Sequence, residues 1–82
     1  MPIRLPLASA IRHAIAERAA AASAHSIDHF LDLLGPVEPA FGGGPQETSW
    51  RLAYYQGSQA EHDAIQRAIG LVQRQTPLMR ID

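Results

Sequence analysis

The sequence predicts a mainly α fold, a small bundle of three to four helices, and three observations lead there. The stretch Ser58-Gln59-Ala60-Glu61 is followed by Ile65, Ala68, Ile69 and Val72 at helical spacing. The alanine-rich first third places Leu7, Ile11, Ala14, Ile15 and Ala22 on one side of a helix. A compact apolar face of Ile27, Phe30, Leu31 and Leu34 then ends at Gly35-Pro36, a combination that closes a helix and forbids its continuation. Helices are expected at about 7–25, 26–34, 46–56 and 58–75, in a single domain covering residues 1–82, with a Gly/Pro-rich loop over 35–45.

In the first helix, Pro6 is suited to the start, where its missing N–H would lack a partner in any case. The small side chains of Ala19 to Ala22 allow another helix to come close. Arg18 falls near the middle of the apolar stripe, so it must snorkel to the edge, pair with an acid, or mark the end of the stripe near Ile15. Ser26 is a cap for the second helix. The pattern is equally consistent with one continuous helix and with a bend at Ser26. Gly35 is expected to take the left-handed conformation at the close.

The loop contains Gly42, Gly43 and Gly44 between prolines, which makes its tip either mobile or sharply turned. Residues 46–56 have two readings. A helix would use Pro45 at its first position, Glu47 in its first turn and Gly57 at its end. A strand would use the alternation of Trp50, Leu52 and Tyr54, with a hairpin over 37–55 as the α+β alternative. Coincident start and stop signals favour the helix. In the last helix, Ser58 and Glu61 can exchange reciprocal hydrogen bonds as a capping box. Gly70 costs helix stability but lies off the apolar face. Thr76-Pro77 ends the helix, and Leu78, Met79 and Ile81 can dock as an extended tail.

The expected core is Ile11, Ile15, Phe30, Leu31, Trp50, Ile65, Ile69 and Val72, with Ile27, Leu34 and Leu52 as further apolar candidates. A chain of 82 residues buries a modest share of its surface. With no cysteine, disulfides and thiolate metal sites are excluded, and self-association is an open route to stability. All basic residues are arginine, and the formal net charge is −1. Nucleic-acid binders concentrate positive charge, so nucleic acid is not an expected partner. No run of about 20 apolar residues is present, so no membrane span is expected. Arg12, His13, Glu17 and Arg18 interrupt the amino-terminal segment, which is therefore assigned to the folded domain rather than to a leader. The expected location is the cytoplasm. Abundant Ala, Arg, Gly and Pro suggest a GC-rich bacterial or phage genome.

Several groups have residue types suited to chemistry. His25, His29 and Asp32 have the residue types and spacing of a metal site if the helix runs unbroken. The simpler reading is a solvated polar face, so no metal or cofactor is assigned. His13 and Glu17 form an i,i+4 pair. Gly42-Gly43-Gly44-Pro45 lacks the lysine and spacing of a phosphate loop. Gly57-Ser58 does not match a nucleophile elbow, and no catalytic residue is assigned. Trp50–Arg67 has the punctuation of a helix-turn-helix, but Glu61 and Asp63 would repel phosphates in its second helix. Trp50, Tyr54 and Tyr55 cluster beside the glycine loop. Adjacent tyrosines point different ways, so one of them is expected at a protein interface with Gly43 and Gly44.

The function expected from these features is a small non-enzymatic protein-binding module. An adaptor, an antitoxin-like partner or an inhibitor of a larger bacterial machine, encoded by a phage or mobile element, would fit. The alternatives are a helix-turn-helix-like DNA-binding regulator and a small His-based metal-binding or catalytic domain.

Overall fold

The computed structural model describes residues 6–40 and 47–80. Three helices carry most of the order: α1 (Ala8–Ala21), α2 (Ile27–Leu33) and α3 (Gln59–Gln75). Four short strands accompany them: β1 (Val37–Pro39), β2 (Glu47–Thr48), β3 (Trp50–Leu52) and β4 (Met79–Arg80). The fold is mainly α with a small antiparallel hairpin, not the pure helical bundle.

The first expected helix stops at Ala21, four residues early, and Ser26 starts a separate α2. The Ser26 hydroxyl accepts from the His29 N–H at 3.1 Å, which gives the chain a local reason to restart there. Both ends of α3 lie where Ser58 and Thr76-Pro77 place them, and the capping box is complete. In α1 no side chain caps the start, and Leu7 occupies that position.

The expected helix over 46–56 is not formed. Strands β2 and β3 occupy that segment, as the hairpin alternative anticipated in part. β3 runs antiparallel to β1 with Val37 opposite Leu52, Glu38 opposite Arg51 and Pro39 opposite Trp50. The bridge between Leu34 and Tyr55 keeps the same register. So does the Ala40 N–H donated to the Ser49 carbonyl at 2.8 Å. A ladder therefore runs from the end of α2 to Ala40, so β1 occupies part of the expected loop over 35–45, and residues 41–46 of that loop lie outside the described residues. Tertiary pairing overrides helical punctuation here, because Trp50 and its β-favouring neighbours gain cross-strand partners and burial together. Of the expected extended tail, Met79–Arg80 forms β4, which pairs with β2, and Met79 is buried; Ile81 lies outside the described residues.

One core joins these parts: Ile11, Ile15, Ala16 and Ala19 of α1, Phe30 and Leu34 at α2, Val37, Trp50, Ile65, Ala68, Val72 and Met79. Ala16 and Ala19 are buried without exposure, and α1 packs against both other helices. Leu31, Leu52 and Ile69 are half-buried against the core. Ile27 is 36% exposed, because it stands at the first position of α2 and only Phe30, one turn later, is fully inside. Trp50 Nε1 donates to the Thr76 carbonyl at 2.7 Å, joining β3 to the end of α3.

Two arginines resolve differently from the pattern. Arg18 reaches Gln75 Oε1 at 2.8 Å on the surface, the edge position that snorkelling requires. Arg12 does more. Its guanidinium donates to the carbonyls of Leu31, Leu34 (2.9 Å) and Gly35 (3.2 Å). A cation at the end of α2 satisfies carbonyls that have no helical partner and suits the negative end of the dipole. Gly35 itself does not take the left-handed conformation; among described residues only Gly57 has positive φ, at 123°. Gly35 is needed for closeness instead: a Cβ there would lie 2.8–2.9 Å from the Tyr54 ring.

Candidate functional site

The start of α3 is the first of two places where polar or aromatic groups converge. Ser58 Oγ accepts from the Glu61 N–H at 3.3 Å, and the Ser58 N–H donates to Glu61 Oε1 at 2.8 Å. One carboxylate oxygen is thereby used in the cap. The other, Oε2, meets His29 Nε2. His29 is fixed in turn by the Ser26 cap of α2. The Glu61 side chain is 16% exposed and that of His29 39%, so the pair is partly buried and open to solvent on the His29 side.

His25 belongs to the turn between α1 and α2, where its N–H donates to Ser23 Oγ at 3.1 Å. Its ring stacks on His29 with centroids 4.1 Å apart and planes 19° from parallel. Phe30 presents an edge to both imidazoles, at 6.0 Å and 5.5 Å. The break at Ser26 does not separate the two histidines; the turn folds His25 back over His29. Donor atoms of His25, His29 and Glu61 all lie within 4.8 Å of one another.

The third member is not the one the spacing suggested. Asp32 is exposed and lies outside this group. Its place is taken by Glu61, which is 32 residues from His29 in the chain. The sequence signal for Glu61 was its capping role, which engages only one of its two oxygens. The Glu61 carboxyl is pulled down from 4.5 to about 2, first by the Ser58 backbone N–H, then by His29 and the Ser58 hydroxyl. It is a carboxylate throughout the neutral range.

Tyr54 and Tyr55 make the second place. They point apart, as their adjacency requires. The Tyr55 hydroxyl accepts from Gln66 Nε2 of α3 at 2.9 Å, and its ring meets His62 edge-on at 4.9 Å. Tyr54 turns outward and is 57% exposed, with its ring against the backbone of Gly35. Backbone hydrogen bonds hold this stretch on both sides: Gly35 N–H to the Tyr54 carbonyl (2.8 Å), Ala53 N–H to Pro36 (2.9 Å) and Gln56 N–H to Leu33 (2.9 Å). Gly43 and Gly44, the expected companions of the tyrosines, lie outside the described residues.

The remaining sequence candidates find structural roles. His13 and Glu17 form the expected surface pair at 2.7 Å. Ser58 is a helix cap. The helix-turn-helix reading of Trp50–Arg67 lacks its first helix, since β3 and irregular backbone precede Gly57. Among the described residues no helix is long and apolar enough to cross a membrane. Comparison with protein-family models, with curated proteins and with solved structures finds no match.

Proposed function

We propose that the protein is a small non-enzymatic protein-binding module that engages another protein through the face centred on Tyr54. The observation that carries this reading is the ring of Tyr54, 57% exposed yet seated on Gly35. Its backbone is fixed by the hydrogen bonds that bind residues 53–56 to residues 33–36. An exposed aromatic held in one place loses little freedom on binding, and tyrosine supplies apolar area together with a polar tip. Such residues are enriched among those that dominate interfaces.

The division of labour between the tyrosines supports the same reading. Tyr55 is engaged with Gln66 and His62, so it ties the ladder to α3. Tyr54 has no such inward task beyond Gly35. A cytoplasmic adaptor, an antitoxin-like partner or an inhibitor of a larger bacterial machine remains the fitting role, and a second copy of the chain is an alternative partner.

The test uses the full chain and its Tyr54→Ala variant as baits in lysate of the native host, with bound proteins quantified by mass spectrometry. Both proteins are also melted and sedimented. The variant is expected to melt within a few degrees of the parent and to lose the bound protein, or the self-association, by roughly 1–3 kcal/mol of binding energy. A folded variant that retains the same partner at the same level contradicts the assignment.

A further inference from the structure

We propose that His25, His29 and Glu61 form a binding site for one divalent first-row metal ion of the zinc class. Two imidazoles and a carboxylate are a donor set that zinc uses with a fourth position left to water or another ligand. Such a set suits borderline ions and is poor for calcium or magnesium, which take oxygen ligands. The three residues come from the α1–α2 turn, the first turn of α2 and the first turn of α3, so the fold, not chain proximity alone, assembles them.

Two of the three donors are already oriented. Ser58 holds Glu61 Oε1 and leaves Oε2 on His29. The Ser26 cap holds the backbone of His29. Supporting contacts of this kind fix the direction of a ligand and raise its affinity. Donor atoms around a tetrahedral ion, at ligand distances near 2.0–2.1 Å, stand about 3.3 Å apart. The donors now lie within 4.8 Å of one another, with His29 Nε2 and Glu61 Oε2 in hydrogen-bond contact, so the site must rearrange: His25 comes in and the hydrogen-bonded pair opens.

His25 supplies the inward movement. Near-parallel stacked rings direct their nitrogen lone pairs side by side rather than toward a common point. Convergence on one ion therefore needs His25 to turn toward the His29–Glu61 pair, whose hydrogen bond the ion replaces as the two donors separate to ligand spacing. His25 is exposed and lies in no helix or strand, so its ring can turn once it gives up its stacking on His29. Two helix amino-termini face this corner and disfavour a cation; the Glu61 charge opposes them. Exposure of His25 leaves the ion open to water on one side.

The experiment titrates untagged, chelator-stripped full-length protein with Zn2+ alone, by calorimetry and by competition with a chromogenic chelator. Co2+ is the spectroscopic substitute. The expected result is one Zn2+ per chain and visible Co2+ bands of a four- or five-coordinate site. His25→Ala, in the exposed turn, should weaken binding roughly tenfold or more. Glu61→Gln should do the same while keeping the cap, since glutamine also serves in a capping box. His13→Ala should bind as the parent does. Ring resonances of His25 and His29, and not His13, should shift on loading. The site is overturned if the parent binds no Zn2+ at micromolar concentration. It is equally overturned if folded His25→Ala and Glu61→Gln proteins both bind like the parent, or if one ion is held between two chains.

Discussion

The long helix α3 and the strand ladder between Leu34 and Tyr55 obtain their structure in opposite ways. α3 carries its own instructions. Ser58 and Glu61 cap it reciprocally, and Ile65, Ala68 and Val72 line one buried face. Each instruction acts within about one turn of chain. The ladder has few residues per strand, and such strands are not stable by themselves. It depends on partners elsewhere: Trp50 on Thr76, β2 on β4, and Tyr54 on Gly35. The lesson is that the most locally coded element serves as the frame, and the least locally coded one displays the exposed aromatic.

Removing the residue that joins the two regions should have the largest effect. Trp50→Ala empties a core position and leaves the Thr76 carbonyl without its indole donor. A loss of about 3–5 kcal/mol is expected, enough to unfold a domain this small, and circular dichroism with thermal melting would show it. If the variant melts like the parent, the ladder is not coupled to α3 in the way described.

Gly35→Ala should come next, at about 1–3 kcal/mol, because the new methyl collides with the Tyr54 ring. Tyr54→Ala in the same chain should recover most of that loss. A double-mutant cycle by urea titration measures the coupling. An equal loss with and without Tyr54 would mean that Gly35 is required for its backbone and not for the ring above it.

Within α3 the effects should be smaller and local. Ser58→Ala should cost about 1 kcal/mol. The same cap has a pH signature. Glu61 is more acidic in the folded chain than the ordinary 4.5, near 2. Its contribution is therefore complete above about pH 4.5 and is lost as pH falls through that range toward 2. Melting temperature against pH should show this acid-side decline in the parent and a reduced decline in Glu61→Gln. The smallest change should be a gain. Gly70 lies inside α3 with open space where a Cβ would be, so Gly70→Ala should stabilise by up to about 1 kcal/mol.

This contrast also explains what the sequence made legible. The limits of α3, the restart at Ser26 and the burial of Ile11, Ile15, Phe30, Ile65 and Val72 were legible because caps and 3.6-residue periodicity are local signals. The segment 46–56 misled because Pro45 and Gly57 punctuate a strand as readily as a helix. What decides between them is pairing with residues ten or more positions away. Gly35 illustrates the same limit: its place after α2 was readable, but its reason, a ring contributed by residue 54, was not. At the candidate metal site, His25 and His29 were visible as a pair. Glu61 was missed because its partner lies across a tertiary contact and its capping role already accounted for it. The outward tyrosine was foreseen only as one of two, since adjacency says that they diverge and the strand register says which one faces α3.

That register places Tyr54 outward and Tyr55 against α3. Nuclear Overhauser contacts in the assigned full-length protein test it most directly. Cross-strand contacts are expected between Val37 and Leu52 and between Pro39 and Trp50, with the Ala53 and Gln56 amides slow to exchange. Contacts between residues three apart along 46–56, with no cross-strand contacts, would mean that the segment is a helix and would contradict both the ladder and the surface built on it.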